Sequence, residues 1–114
     1  MVRVTPIDNI IEFALEELLS GSDGRRRAMV RGMCEIWPDA PALSIVFAVT
    51  SAAARLEDNI SRGSDTERLA AFAYRLAALL AADVYAVESM GHKPAKANDL
   101  LHFWRRVDPW FLEL

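Results

Sequence analysis

The chain has 114 residues, 53% hydrophobic and 25% charged, with a formal net charge of −3; that length holds one folded core and does not divide comfortably into two. Such a composition excludes a disordered chain, and the acidic balance excludes a global electrostatic pull toward nucleic acid or an anionic membrane surface. Cys34 is the only cysteine, which excludes an intrachain disulfide and points to a reducing, cytoplasmic setting.

Asp8, Glu12, Glu16 and Glu17 interrupt every apolar stretch at the start of the sequence, so no signal or transit peptide is read there. The longest low-charge run, Ala40 to Ala54, is shorter than the ~20 apolar residues that cross a bilayer. It is expected to be a buried helix, and no membrane partner is expected.

The first helix opens on Thr5 as N-cap with Pro6 at the first helical position. Ile7, Ile10, Ile11, Ala14, Leu15, Leu18 and Leu19 repeat at helical spacing, with Asp8, Asn9, Glu12 and Glu16 opposite. Gly21 and Gly24, among Ser20, Ser22 and Asp23, end this helix and cap the next. A second helix runs from about Arg25 to Trp37 on the stripe Met29, Val30, Met33, Cys34 and Trp37, and stops at Pro38.

Asp39 can cap a third helix, with Pro41 in its first turn. This helix carries two apolar stripes, one of Leu43, Phe47, Thr50 and Ala54, the other of Ile45, Val49, Ala52, Leu56 and Ile60. Only Ser44, Ser51, Arg55, Asp58 and Arg62 form a polar strip, so the helix is expected to be central. Gly63 supplies a left-handed stop, and Ser64-Asp65-Thr66-Glu67 is a capping box. A long fourth helix then reaches about Met90, with Leu69, Phe72, Ala73, Leu76, Leu80 and Val87 facing the core, and Gly91 closes it. After Gly-His-Lys-Pro, a fifth carries Leu100, Leu101, Trp104 and Val107; Asp108-Pro109 ends it before an apolar tail, Trp110 to Leu114. No strand pattern or repeat interrupts this series. The expected fold is all-α: one domain over residues 1–114, an up-down antiparallel bundle of four main helices plus a shorter C-terminal helix and the tail.

Chemical signatures are sparse. A di-iron bundle needs Glu-x-x-His pairs, and the sequence has none. Glu88 with His92 and Asp99 with His102 are the nearest approaches, and two histidines are too few for a metal centre of that kind. Glu12 with Glu16 and the Glu57-Asp58 pair are too scattered for metal-dependent hydrolysis. Cys34 lies on an apolar stripe, where a cysteine is an inert hydrophobe. Neither a catalytic residue nor a cofactor is expected.

Two acids fall at apolar positions and are read as buried polar anchors. Asp83 lies within the main stripe of the fourth helix, and Glu57 lies beyond Thr50 and Ala54 on the third. Each then needs a partner or a route to water. In an antiparallel hairpin, Glu57 lies near Leu69 and Asp83 near Leu43, too far apart for one dyad. Arg25, Arg26, Arg27 and Arg31 crowd the start of the second helix, against the helix dipole. Either an anion gathers them or they meet the acidic face of the first helix. No aromatic residue is interleaved, which argues against nucleic acid.

The expected function is therefore a non-catalytic protein-interaction module acting as a homodimer. Its interface would use the second stripe of the fourth helix (Tyr74, Ala78, Ala81, Tyr85), the tail (Trp110, Phe111, Leu112, Leu114), or both. The alternative is a small-molecule or anion-binding domain, even an enzyme, with Asp83 and the arginines as polar anchors.

Overall fold

The computed structural model describes residues 6–58 and 64–114. They form six α-helices, with no strand among the described residues: α1 (Pro6–Leu19), α2 (Asp23–Ile36), α3 (Ala42–Asp58), α4 (Ser64–Ser89), α5 (Ala97–Arg106) and α6 (Trp110–Glu113). The all-α class stands. The cap read at Thr5 and the stop at Gly63, with Ile60 and Arg62, lie outside the described residues.

Local chemistry explains most boundaries. The turn after α1 is made by Gly21 at φ +80°, and Ser22 caps α2, its hydroxyl accepting the Arg25 N–H at 3.2 Å. That cap starts α2 at Asp23, two residues earlier than expected. Gly91 at φ +103° closes α4, where a residue with a Cβ would be strained. At α5, Asp99 accepts the Lys96 N–H at 2.9 Å. Asp108 accepts the Trp110 N–H at 3.1 Å, and the apolar tail forms a helical turn.

The start of α3 departs from expectation. Asp39 does not cap it, and Pro41 stands just before the helix rather than in its first turn. Two connections pair instead. The Ala42 N–H donates to the Ala95 carbonyl at 2.9 Å, the Ala97 N–H to that of Ala40 at 2.8 Å, and the Asn98 N–H to that of Pro38 at 2.9 Å. The connection before each of these two helices thereby accepts orphan donors from the start of the other, and those donors need no side-chain cap.

This pairing also changes the helix order. Tied to residues 95–98, the 37–41 connection does not fold α3 back along α2. Instead α2 lies between α1 and α5, α3 packs on α1 and most extensively on α4, α4 closes onto α5, and α6 lies across α2 and α5. Successive helices all touch, α2 and α3 only slightly, while α3 also packs on α1 and α2 on α5. One continuous core runs through the arrangement, with Trp104, Ile10, Leu18, Met33, Ile45 and Leu80 among its most enclosed side chains. Gly32, in mid-α2, gives up helix propensity, and the Phe13 ring lies over it, 3.4 Å from where a Cβ would stand. Phe13 in turn meets Trp37 edge to face, centroids 5.7 Å apart. With extents of 44 × 38 × 19 Å, the molecule is a slab about two helix diameters thick.

Ala40 to Ala54 is not the stretch closest to a membrane span. From Asp65 to Ser89, α4 is long and apolar enough to cross a membrane by length and composition alone, with a mean hydropathy of 1.5. A core helix meets the same criterion, and Ala73, Leu76, Leu80 and Val87 of α4 are buried in the core.

Candidate functional site

Each of the four arginines at the start of α2 engages its own chain. Arg25 forks onto Glu17 of α1, Nε to Oε2 at 3.0 Å and Nη2 to Oε1 at 2.8 Å, and the carboxylate raises the pKa of the guanidinium through this hydrogen bond and its charge. Arg26 Nε donates to the Leu18 carbonyl at 2.9 Å, placing a cation on the C-terminal end of α1, where the helix dipole favours it. Arg27 pairs with Asp23 at 2.9 Å and Arg31 with Glu35 at 3.9 Å, both along the helix. Across the other side of α1, Glu12 lies 3.8 Å from Arg55. Helix α1 answers two of the four arginines, through Glu17 and the Leu18 carbonyl, and α2 itself answers the other two.

Asp83 and Glu57 are not alike. Asp83 is half-buried and accepts the indole N–H of Trp104 at 2.9 Å. Burial pushes its pKa above the ordinary carboxylate value, the Trp104 bond pulls it down, and the charge of Asp108 adds to the rise. Asp83 also lines a 360 Å³ cavity with Arg75, Leu79, Ala82, Asp108, Trp110 and Phe111. None of the four arginines of α2 reaches that cavity, so the structure does not gather Asp83 and the arginines into one site. Glu57 is exposed, which corrects its reading as a buried anchor. Its helical phase relative to Thr50 and Ala54 holds, but that stripe itself faces outward.

The outward stripe matters most. Leu43 and Phe47 are 64% and 57% exposed, Thr50 is exposed and Ala54 half-exposed, so of the two apolar stripes on α3 only the one with Ile45, Val49, Ala52 and Leu56 is core. On α4, Ala78, Ala81 and Tyr85 are exposed, Tyr85 by 76%, and Tyr74 partly so. A long, weak hydrogen bond from the Tyr74 hydroxyl to Glu57, 3.4 Å, joins the two helices. Because α3 and α4 run antiparallel from that contact, the two stripes lie side by side. The residues of both stripes are uncharged, and Glu57 and Asp58 bring negative charge to their Tyr74 end. The pKa of Tyr74 is raised by burial and by the carboxylate beside it.

The tail docks within the chain. Phe111 is buried, its ring 4.9 Å from that of Trp104 and 5.0 Å from that of Trp110; Leu112 and Leu114 pack partly against the core. The docking site lies on α2 and α5.

A groove not foreseen in the sequence lies between the end of α4 and α5. Its 330 Å³ are lined by Val87, Met90, His92, Asp99, His102, Phe103, Arg106 and Val107. Both histidines of the chain therefore stand at one place, with His92 Nδ1 4.0 Å from Asp99. The α5 spacing 99, 102, 103, 106, 107 carries that signal, since these positions share one helix face. Among the described residues no three metal-ligating side chains converge. Glu88 is turned to the Ala95 N–H at 3.1 Å. Cys34 is buried, and burial raises its thiol to about 12, which leaves no thiolate nucleophile at neutral pH. Compared with known protein families, curated proteins and solved structures, the chain matches none.

Proposed function

We propose that the chain is a non-catalytic helical interaction module that pairs with a second copy of itself through the joint face of α3 and α4, in an intracellular, reducing setting. One observation carries this reading: Leu43, Phe47, Thr50, Ala54, Ala78, Ala81 and Tyr85, on two helices packed against each other, are all uncharged and open to solvent in whole or part. Two helices about 10 Å apart and some 20 Å long make a face of roughly 400 Å², the central part of a standard interface of ~800 Å² per partner. Alanines at the middle permit close helix approach, and tyrosines at the margin combine apolar rings with polar tips.

A twofold axis through the middle of the face lays the Glu57 and Tyr74 end of one copy over the Leu43, Phe47 and Tyr85 end of the other. The Tyr85 hydroxyl then becomes a donor for the Glu57 carboxylate, so the patch complements itself as an isologous contact requires. The tail is not part of this interface, since Phe111 is spent inside its own chain.

Light scattering coupled to size exclusion tests the reading. The intact chain is expected to be a dimer, and Ala81→Arg a folded monomer. A monomeric intact chain at high micromolar concentration would sink the proposal; a dimer that survives Ala81→Arg places the contact elsewhere.

A further inference from the structure

We infer that the groove between the end of α4 and α5 binds a small amphiphilic anion, a carboxylate, sulfonate or phosphate head on an apolar body. Val87 and Phe103 form a buried floor, while Met90 and Val107 stand 54% and 61% exposed at its walls. Large apolar side chains left this open beside a concave surface are what the body of a ligand covers. The polar edge is biased toward an anion. Arg106 and His102 make no hydrogen bond or ion pair among the described residues, whereas Asp99, the one acid in the groove, is occupied by the Lys96 N–H and faces His92. Glu88, the nearest acid on α4, is turned away to Ala95.

Arg106 therefore brings a full positive charge with a free guanidinium fork, suited to an oxyanion. A volume of 330 Å³ lies near the lower end for small-ligand sites, roughly 300–1,000 Å³. An uncharged ligand would forgo a charge-assisted bond to the guanidinium, and an organic cation would find the one carboxylate of the groove, Asp99, already engaged by the Lys96 N–H and facing His92. The groove lies on the flank of α4 turned to α5, away from Ala81 and Tyr85, so it is independent of the proposed dimer.

The test uses octane-1-sulfonate, whose charge does not titrate, below its micelle concentration, against octan-1-ol and octylammonium with the same apolar chain. Amide chemical-shift mapping on the intact chain is expected to place the sulfonate at Met90, His92, His102, Phe103, Arg106 and Val107, with affinity about tenfold above that of the alcohol and no binding of the ammonium. Arg106→Gln should lower sulfonate affinity to the level of the alcohol. Val107→Asp should weaken the sulfonate further. Both residues are exposed, and an unchanged melting temperature confirms that each variant folds. Equal affinity for sulfonate and alcohol, an unchanged affinity in Arg106→Gln, perturbations mapping outside the groove, or binding only to micelles or phosphatidylglycerol vesicles would each overturn the assignment.

Discussion

The corner where α1 meets α2 and the face shared by α3 and α4 invert what their compositions suggest. Four arginines at a helix start look like a site, yet the structure spends each of them on a carboxylate or carbonyl of its own chain. The alanines and tyrosines of the second α4 stripe, with Leu43, Phe47 and Thr50 of α3, carry no charge and stay open or partly open to solvent. A conspicuous charge is cheaply answered by a charge nearby, because long side chains reach across a helix pair. An apolar surface has no such local remedy and stays open until another surface covers it.

Removing what fastens the tail strikes hardest at this contrast. Phe111→Ala should cost about 3 kcal/mol in denaturant unfolding, because it empties a well-packed site against Trp104. Light scattering should show the same oligomer as the intact chain, since the tail lies away from the α3 and α4 face. A lost dimer with unchanged stability would reverse the two assignments.

Asp83 comes next. Asp83→Leu leaves the buried Trp104 N–H without its acceptor and should destabilise by ~1–3 kcal/mol. Asp83→Asn keeps an acceptor and removes the charge, so it should raise stability near neutral pH. Folding lifts the Asp83 pKa, so the folded state binds this proton more tightly than the unfolded chain. The penalty is absent below the ordinary carboxylate value, grows as pH rises through the raised one, and is complete at neutrality. The advantage of Asp83→Asn should therefore disappear on acidification, measured as a difference in melting temperature between pH 7 and pH 3. An advantage independent of pH would show that the charge is not its source.

Arg26→Ala should cost about 1 kcal/mol, the bond to the end of α1 together with its dipole interaction. Because that guanidinium is already engaged, sulfate and chloride at matched ionic strength should shift the melting temperature of the native chain and the variant alike. A sulfate-specific rise confined to the native chain would restore the arginines as an anion site.

The smallest effect on stability is expected on the open face. Phe47→Ser should change the unfolding free energy of the separated subunit by less than ~0.5 kcal/mol, while weakening self-association measured by dilution. A large loss of subunit stability would show that Phe47 is packed within its own chain.

Helix positions were legible in the sequence because their signals are local. Apolar spacing marks the elements, and Gly21, Ser22 and Gly91 act within a turn of where they stand. The misplaced phase of Asp83 was legible for the same reason. Its partner was not, because Trp104 is 21 residues away on another helix.

Phase along a helix says which residues share a side, and only the neighbours decide whether that side is covered. The sequence determined the all-α class, the helical turns and the two apolar stripes of α3. Tertiary structure decided which stripe became core, because α1 and α4 pack most extensively on one side of α3 and leave the other open. It also decided that Glu57 stays in solvent, that the arginines are answered at home, and that the two histidines meet in one groove. Apart from the Arg27–Asp23 and Arg31–Glu35 pairs, which lie four residues apart within α2, these outcomes depend on contacts between separate elements of the chain, which helical periodicity does not encode.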